Sequence, residues 1–219
     1  GRGRKTLASP VKLAAEILDL DIYQPSDINQ TSSLEKISSW NPTLICVVAF
    51  GQILNPQLLD LPSRGCLNLH ASLLPRWRGA SPINAAILAG DKESGVTIMQ
   101  MTPGLDVGPV LTQQSTAITA KETAGELSDR LSHMGAKLLT STIPPYLAGE
   151  IQPQPQAYPE ASYETLLSKQ DGLLDLSQTA QQLARKVRAF SPWPGAFTFS
   201  KDQRLTIHKS RAASGSYPG

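Results

Sequence analysis

The chain has 219 residues, a formal net charge of +2, 40% hydrophobic residues and 17% charged residues. This composition can bury a core, which excludes an intrinsically disordered protein, and the charge is too small to indicate nucleic-acid binding by itself. No apolar run approaches the roughly 20 residues of a membrane helix, and the two cysteines are too few for a disulfide framework. We therefore expect a soluble protein of a reducing compartment such as the cytoplasm.

Neither end of the sequence resembles the end of a natural protein. There is no initiator Met, Gly1–Lys5 has the composition of an internal loop, and the small residues 212–219 follow a strand-like stretch. We therefore expect a fragment that is cut on both sides.

Helical and strand patterns alternate through the first half of the chain. Ser9 is a suitable helix N-cap with Pro10 at the first helical position, and apolar residues follow at helical spacing. The continuous apolar run 43–49 is typical of a strand buried on both faces, as in a parallel sheet. The other predicted elements, in chain order, are a strand at 22–24 stopped by Pro25, a weak helix at 34–40, a strand at 65–70, a helix at 82–89 ended by Gly90, and strands at 94–101 and 108–116.

The clearest helix begins at Thr123, which can form a capping box with Glu126. Its apolar stripe indicates core packing, and we expect Pro144 and Pro145 to end it. The Pro- and Gln-rich segment 151–159 is interpreted as a linker or an edge strand. The remaining predicted elements are a helix at 178–190 and a hairpin of strands at 196–200 and 204–209. Together the elements indicate an α/β domain followed by the start of an all-β domain.

A pair of polar residues lies near the end of a predicted buried strand. Asn68 and His70 are separated by one residue, so in a strand their side chains point to the same face. Open α/β sheets bind ligands at the carboxyl ends of their strands, which makes this pair a candidate site. The alternative is that both side chains only satisfy the backbone of neighbouring loops.

Two further segments carry polar groups of kinds that enzymes use. Asp106 lies between Gly104 and Gly108, in a tight turn that another group can approach closely; taken alone, it also fits an ordinary Asx turn. Arg76 and Arg78 lie in a proline-bounded loop and could bind a carboxylate or a phosphate. The alternative for these arginines is a solvated basic loop.

A zinc site is not expected. Cys66 and His70 have a C-x₃-H spacing, but the sequence has no second Cys/His pair to complete four ligands. Cys46 and Cys66 both lie in apolar strand patterns, and we expect both in the core.

In combination, these motifs resemble those of the folate-dependent formyltransferase family. The stretch 68–110 contains N-L-H-A-S-L-L-P-R-W-R-G-A-S-P-I and G-V-T-I-M-Q-M-T-P-G-L-D-V-G-P-V. Three outlying segments are most similar to the branch of the family that acts on methionyl-tRNA: G-R-G-R-K-T-L-A-S-P-V-K, V-V-A-F-G-Q-I-L-N and V-R-A-F-S-P-W-P-G-A. The resemblance covers nearly the whole chain, and the motifs together are highly specific.

The resemblance implies a Rossmann-like α/β fold, with a mostly parallel sheet and helices on both faces, followed by the start of a small OB-like all-β barrel. It implies a truncated catalytic domain at 1–171, a helical linker at 172–190 and the beginning of the C-terminal β-barrel at 191–219. The family's first β-α-β unit and most of its barrel are absent. Leu176 departs from the family pattern, which has Trp at that place.

The resemblance also assigns roles to three groups of residues. They are the catalytic Asn68, His70 and Asp106; the folate-binding Ser72, Leu73, Leu74 and Pro75; and the tRNA-binding Arg2, Arg4 and Lys5 of the opening loop.

The implied reaction transfers a formyl group from 10-formyltetrahydrofolate, a co-substrate, to the α-amine of methionine on initiator methionyl-tRNA, in translation initiation. Asn68 would stabilise the oxyanion, and either His70 or Asp106 would carry the proton, without a metal. The expected partners are the tRNA and the folate, with no membrane, for a monomer in the bacterial cytoplasm or an organelle. Two alternatives stay open: a formyltransferase for another small amine, and a folate- or tRNA-binding fragment without activity.

Overall fold

The computed structural model describes residues 8–213, in which helices and strands alternate. The helices are α1 (Pro10–Ile17), α2 (Thr31–Ser39), α3 (Pro56–Leu59), α4 (Pro82–Ala89), α5 (Ala124–Leu147) and α6 (Ala180–Ala189). The strands are β1 (Ile45–Val48), β2 (Cys66–His70), β3 (Arg78–Gly79), β4 (Glu93–Gln100), β5 (Val110–Ala117), β6 (Tyr163–Glu164), β7 (Ala196–Ser200) and β8 (Gln203–Ile207). Single 3₁₀ turns lie at Tyr158–Glu160 and Gln170–Gly172.

The central sheet contains four strands in the order β1-β2-β4-β5. β1 runs parallel to β2, whereas β2 and β4, and β4 and β5, are antiparallel. Among the described strands the sheet is therefore mixed, which corrects the expectation of a mostly parallel sheet. The loop 101–109 between β4 and β5 is too short for the crossover that parallel neighbours need, so these strands form a hairpin.

Helices cover both faces of the sheet, which confirms the α/β class. On one face, α4, α5 and α6 pack over β4 around a core cluster of Ile87, Val96, Ala124, Leu127, Leu131, Ala189 and Phe190. On the other face, α2 and α3 pack near β1 and β2 around a cluster of Ile28, Ile37, Leu54, Leu58, Leu59 and Cys66. Asn68 and His70 alternate with Leu69, which packs in the first cluster, so the polar pair points to the second face.

Helix α5 begins as predicted and ends later than predicted. The capping box is present: the Thr123 N–H donates to Glu126 at 2.8 Å, and the Glu126 N–H donates to the Thr123 hydroxyl at 3.3 Å. The helix passes through Pro144 and Pro145 and ends at Leu147, so the expectation that the prolines end it is wrong. Neither proline has an N–H to donate, but the Pro144 carbonyl accepts from the Ala148 N–H at 3.0 Å, which closes the last turn.

Two expectations about strands are also wrong. Residues 22–24 form no strand within the described residues. β1 is not buried on both faces, because Cys46 and Val48 are exposed while Ile45 and Val47 pack against the second cluster. Helix α5 packs on β4 and β5, which lie at the other end of the strand order from β1. It therefore does not cover the face of β1 that carries Cys46 and Val48. Cys46 therefore lies outside the core, whereas Cys66 is buried as predicted.

The Pro- and Gln-rich segment lies at the edge of the central sheet and continues to β3. Val110 and Gln154 exchange two backbone hydrogen bonds, of 2.8 and 2.7 Å, at the free edge of β5. Nine residues later the same segment forms β6, which pairs in parallel with β3. The residues 154–164, which we call the strap, thus connect the sheet edge to the loop that follows β2.

The C-terminal part begins with the predicted helix and hairpin. Helix α6 starts at a Thr179–Gln182 capping box and packs on α4, where the Asn84 amide donates to Ala189 O at 2.6 Å. β7 and β8 form the antiparallel hairpin. Among the helices in 8–213, none has the length and hydropathy needed to cross a bilayer.

Candidate active site

Strand β2 positions two side chains of the candidate site through its backbone. It lies between β1 and β4, with Asn68 opposite Val47 on one side and Met99 on the other. His70 closes the strand and is only 6% exposed, whereas Asn68 is half-buried. Two ladders therefore fix where both side chains leave the sheet, at the carboxyl end of β2.

The third side chain arrives from the loop between β4 and β5. Asn68 Nδ2 lies 3.5 Å from one Asp106 oxygen, and His70 Nδ1 lies 3.6 Å from the other. Asp106 has a φ of 53°, in the left-handed region that Asp tolerates better than most residues. The structure thus brings together the three residues to which the resemblance assigns catalysis, across 38 positions of sequence.

The hydrogen bonds of His70 determine which ring nitrogen can exchange a proton. His70 Nε2 lies 2.8 Å from Trp77 O, and a carbonyl only accepts, so Nε2 carries the hydrogen and donates it. Nδ1 is then the nitrogen that gains or loses a proton, and it faces Asp106. Trp77 presents this carbonyl from a left-handed backbone with a φ of 61°, which is costly for a bulky residue.

A backbone N–H holds the Asp106 carboxylate in place. The Gly79 N–H donates to the Asp106 oxygen that faces His70, at 2.8 Å. A side chain at Gly79 would meet Glu164 O of the strap at 2.1 Å, and the φ of Gly79 is +106°. Only glycine therefore allows β3 to approach both the strap and the carboxylate.

The segment 72–75, to which folate binding is assigned, is held by hydrogen bonds and by buried side chains. The Ser72 hydroxyl donates to Arg76 O at 2.7 Å, and the Ser72 and Leu74 side chains are buried. Leu73 and Pro75 are partly exposed. Any contact of this segment with a ligand would therefore use Leu73, Pro75 and the backbone.

Thr97 is the anchor of that segment. Its buried hydroxyl donates to Ser72 O at 2.6 Å and accepts from the Leu74 N–H at 3.2 Å. The Gln113 amide also donates to this hydroxyl, at 2.8 Å. The backbone of the loop after β2 is thus tied to the interior of β4.

The two arginines of the loop have different partners. Arg76 forms a two-point ion pair with Asp91, with N–O distances of 3.0 and 2.8 Å, and this hydrogen bonding raises the pKa of Arg76. Arg78 is 1% exposed and binds Gln156 and Tyr163 instead of an anion. Sequence reasoning missed Gln156, because it is one of three glutamines in the segment 151–159 and no local pattern distinguishes it from the other two.

The Cys66 thiol lies on the same strand as Asn68 and His70 and is buried. Burial, with smaller effects of Cys46 and Asp60, raises the pKa of Cys66 to about 11, so the Cys66 thiol stays protonated near neutral pH. Within residues 8–213, no three His, Cys, Asp or Glu side chains cluster in a way that could hold a metal ion.

The residues to which tRNA binding is assigned, Arg2, Arg4 and Lys5, lie outside the described residues.

The chain matches two family descriptions that divide it between them. Residues 1–143 match Formyl transferase, and residues 166–219 match Formyl transferase, C-terminal domain. The methionyl-tRNA formyltransferase of Marinobacter nauticus is 45% identical over 212 residues, which cover 97% of this chain and 68% of that protein. The methionyl-tRNA formyltransferase of Xylella fastidiosa is 48% identical over 213 residues, covering 97% and 69%.

Solved structures share the fold. A sugar N-formyltransferase from Shewanella has a TM-score of 0.75 at 21% identity, with 92% of this chain and 81% of that chain covered. A methionyl-tRNA formyltransferase from Clostridium thermocellum has a TM-score of 0.68 at 19% identity, covering 90% and 83%. At these identities the structures show the fold alone, whereas the sequence relatives resolve the branch. The chain therefore belongs to the methionyl-tRNA formyltransferases of the formyl transferase family.

Proposed function

We propose that this protein transfers the formyl group of 10-formyltetrahydrofolate to the α-amine of methionine on initiator methionyl-tRNA. The observation that supports it most is the convergence of Asn68, His70 and Asp106 near the carboxyl end of β2, in a chain whose sequence relatives are methionyl-tRNA formyltransferases. The amine nitrogen bonds to the formyl carbon, the bond from that carbon to the folate nitrogen breaks, and the amine proton moves to the folate nitrogen.

Asn68 is the proposed donor to the oxyanion that forms on the formyl oxygen. A carboxylate only accepts, so the Asn68 amide nitrogen is the atom that faces Asp106, and one of its two hydrogens is left for another acceptor. A single preorganised donor of this kind contributes about 10²–10³ in rate, or about 2.7–4 kcal/mol.

His70 and Asp106 are the proposed path for the proton. The amine must lose a proton to become an amide, and Nδ1 of His70 and the Asp106 carboxylate face each other at 3.6 Å. Because Nε2 is committed to Trp77 O, exchange runs through Nδ1 and Asp106. The Asp106 side chain is 14% exposed, so part of the carboxylate is accessible to a substrate.

The surroundings of the three residues suit an aromatic ring system such as a pterin. Val48 of β1 pairs beside Leu69, so the residues after β1 lie next to His70. Phe50 and Ile53, in that loop, are exposed, as is Leu105 beside Asp106. Together with Leu73 and Pro75, these apolar side chains would bind the folate.

The tRNA is the proposed second substrate, bound in part by Arg2, Arg4 and Lys5. Cations that neutralise phosphates make binding salt-dependent, with a slope that falls as each contact is lost. We propose a monomer, acting in the bacterial cytoplasm or in an organelle, where initiator tRNA is formylated.

The direct test uses the full-length protein that carries this chain. With 10-formyltetrahydrofolate and charged initiator tRNA, we expect formyl-methionine to be released after deacylation; tRNA whose methionine amine is acetylated is the control. If the protein formylates an aminosugar nucleotide and does not formylate the tRNA, the result would instead support a small-amine formyltransferase. Turnover by the 219-residue chain alone would exclude the inactive binding fragment.

The tRNA assignment has its own test. Arg2→Ala should weaken tRNA use and lower the slope of log binding against log salt by about one, without changing reaction with a minimal amine. A salt slope equal to that of the unaltered protein would contradict the role of Arg2.

A further inference from the structure

Arg78 is a buried cation without an anion. The residue is 1% exposed, and within the described residues no carboxylate oxygen lies within ion-pair distance of its guanidinium. Burying a charge is costly unless polar groups compensate it. The compensation comes from the strap: Gln156 Oε1 accepts from Arg78 Nε at 3.1 Å and from Nη2 at 2.8 Å, and Tyr163 accepts from Nη1 at 2.7 Å.

This arrangement sets the orientation of the Gln156 amide. Guanidinium nitrogens only donate, so the oxygen of the amide must face Arg78. The nitrogen then faces the opposite way, where it donates to Asp106 O at 2.9 Å and to Gly108 O at 2.7 Å. Every polar atom of the amide is used, and the two hydrogens of Nε2 hold both ends of the turn that carries Asp106.

The same turn has a second attachment to the neighbourhood of Arg78. Gly79, the next residue, donates its N–H to the Asp106 carboxylate, and β3 pairs with the strap at Tyr163 and Glu164. Arg78, Gly79 and Gln156 therefore form one connected unit around the Asp106 turn. Its contacts reach the backbone and the carboxylate of Asp106, and neither Asn68 nor His70.

We propose that Gln156, oriented by the buried Arg78, is a positioning residue that holds the Asp106 carboxylate at the distance at which it meets Asn68 and His70. The proposal rests on the proposed catalytic role of Asp106. It explains why this place needs an amide: a glutamate would put a carboxylate oxygen against two carbonyls, and a lysine would put a cation against Arg78.

The test is Gln156→Glu in the full-length protein. The new carboxylate keeps the link to Arg78, as an ion pair, and loses both donors to the Asp106 turn, so folding is retained while positioning is lost. We expect single-turnover rates about 10- to 100-fold lower, the cost of a misplaced group, with KM values for formyl donor and tRNA within about twofold. Gln154→Glu, an exposed change two residues away on the same segment, is the matched control and should leave the rate unchanged.

A double-mutant cycle with Asp106→Asn separates positioning from a general effect on the fold. If Gln156 acts through Asp106, Gln156→Glu should change the rate by less than about twofold once Asp106→Asn is present. Two outcomes would overturn the positioning role and leave the proposed function standing. One is that the losses of rate in the two single variants add in the double variant. The other is that Gln156→Glu keeps full activity while Asp106→Asn is inactive.

Two further outcomes complete the design. Full activity of Asp106→Asn would overturn both the positioning role and the proposed role of Asp106. Should Gln156→Glu fail to fold, the double change Gln156→Met with Arg78→Met, which removes the buried cation together with its acceptor, takes its place with the same expected loss and the same contrary results.

Discussion

The two halves of the candidate site are held by different means. Asn68 and His70 lie on β2, where backbone ladders to β1 and β4 fix their positions. Asp106 lies in a loop and depends on Gly79, 27 residues earlier, and on Gln156, 50 residues later. The strand half is thus held by the backbone of the sheet, whereas the loop half is held by a glycine and a glutamine that are distant in the sequence.

The largest effect should come from breaking the contact between β3 and the strap. Gly79→Ala places a methyl group 2.1 Å from Glu164 O, at a φ of +106°, so both strain and overpacking oppose folding. We expect a loss of about 3–5 kcal/mol in the free energy of unfolding, measured by urea titration.

Gly149→Ala is the matched control for that change. Gly149 has a φ of +79°, and nothing lies within 4 Å of the added methyl group, so only backbone strain of about 1–2 kcal/mol is expected. Equal losses in the two variants would show that the close approach to the strap does not matter.

The strand half is tested by Asn68→Ala. Removing one oxyanion donor should lower kcat about 10²- to 10³-fold, or about 2.7–4 kcal/mol, because the donor acts only in the transition state. Steady-state kinetics give kcat, and a fluorescence titration with tetrahydrofolate should show nearly unchanged affinity. Turnover at the unaltered level would remove Asn68 from the oxyanion role.

A smaller effect is expected where the strand half supports the loop after β2. Thr97→Val removes the buried hydroxyl that serves Ser72 O, the Leu74 N–H and Gln113. Ser72 O and the Leu74 N–H are left unpaired, whereas Gln113 keeps its bond to Leu74 O. The cost should be about 1–3 kcal/mol in urea unfolding.

Thr206→Val, at an exposed strand position, is the comparison for Thr97→Val and should change stability by less than about 0.5 kcal/mol. If both variants lose the same amount, the buried network does not stabilise the loop after β2.

Local pattern sufficed for most helices and for the polar pair. The capping boxes, the apolar stripe of α5 and the one-residue spacing of Asn68 and His70 all depend on neighbours within a few positions. The buried faces of β1 did not follow from pattern, because the exposure of Cys46 depends on where α5 lies across the sheet. The end of α5 did not follow from its two prolines, because the last turn continues past them without their N–H groups.

The sequence by itself determined the alternation of helices and strands, the family and the residue types available for chemistry. Only the tertiary structure decided that Arg76 meets Asp91 while Arg78 is buried on Gln156, and that a glutamine from the strap reaches the Asp106 turn. The physical reason is range: periodicity and capping act between neighbours in the chain, whereas the partner of a buried charge or a loop carbonyl is chosen by folding, across tens of residues.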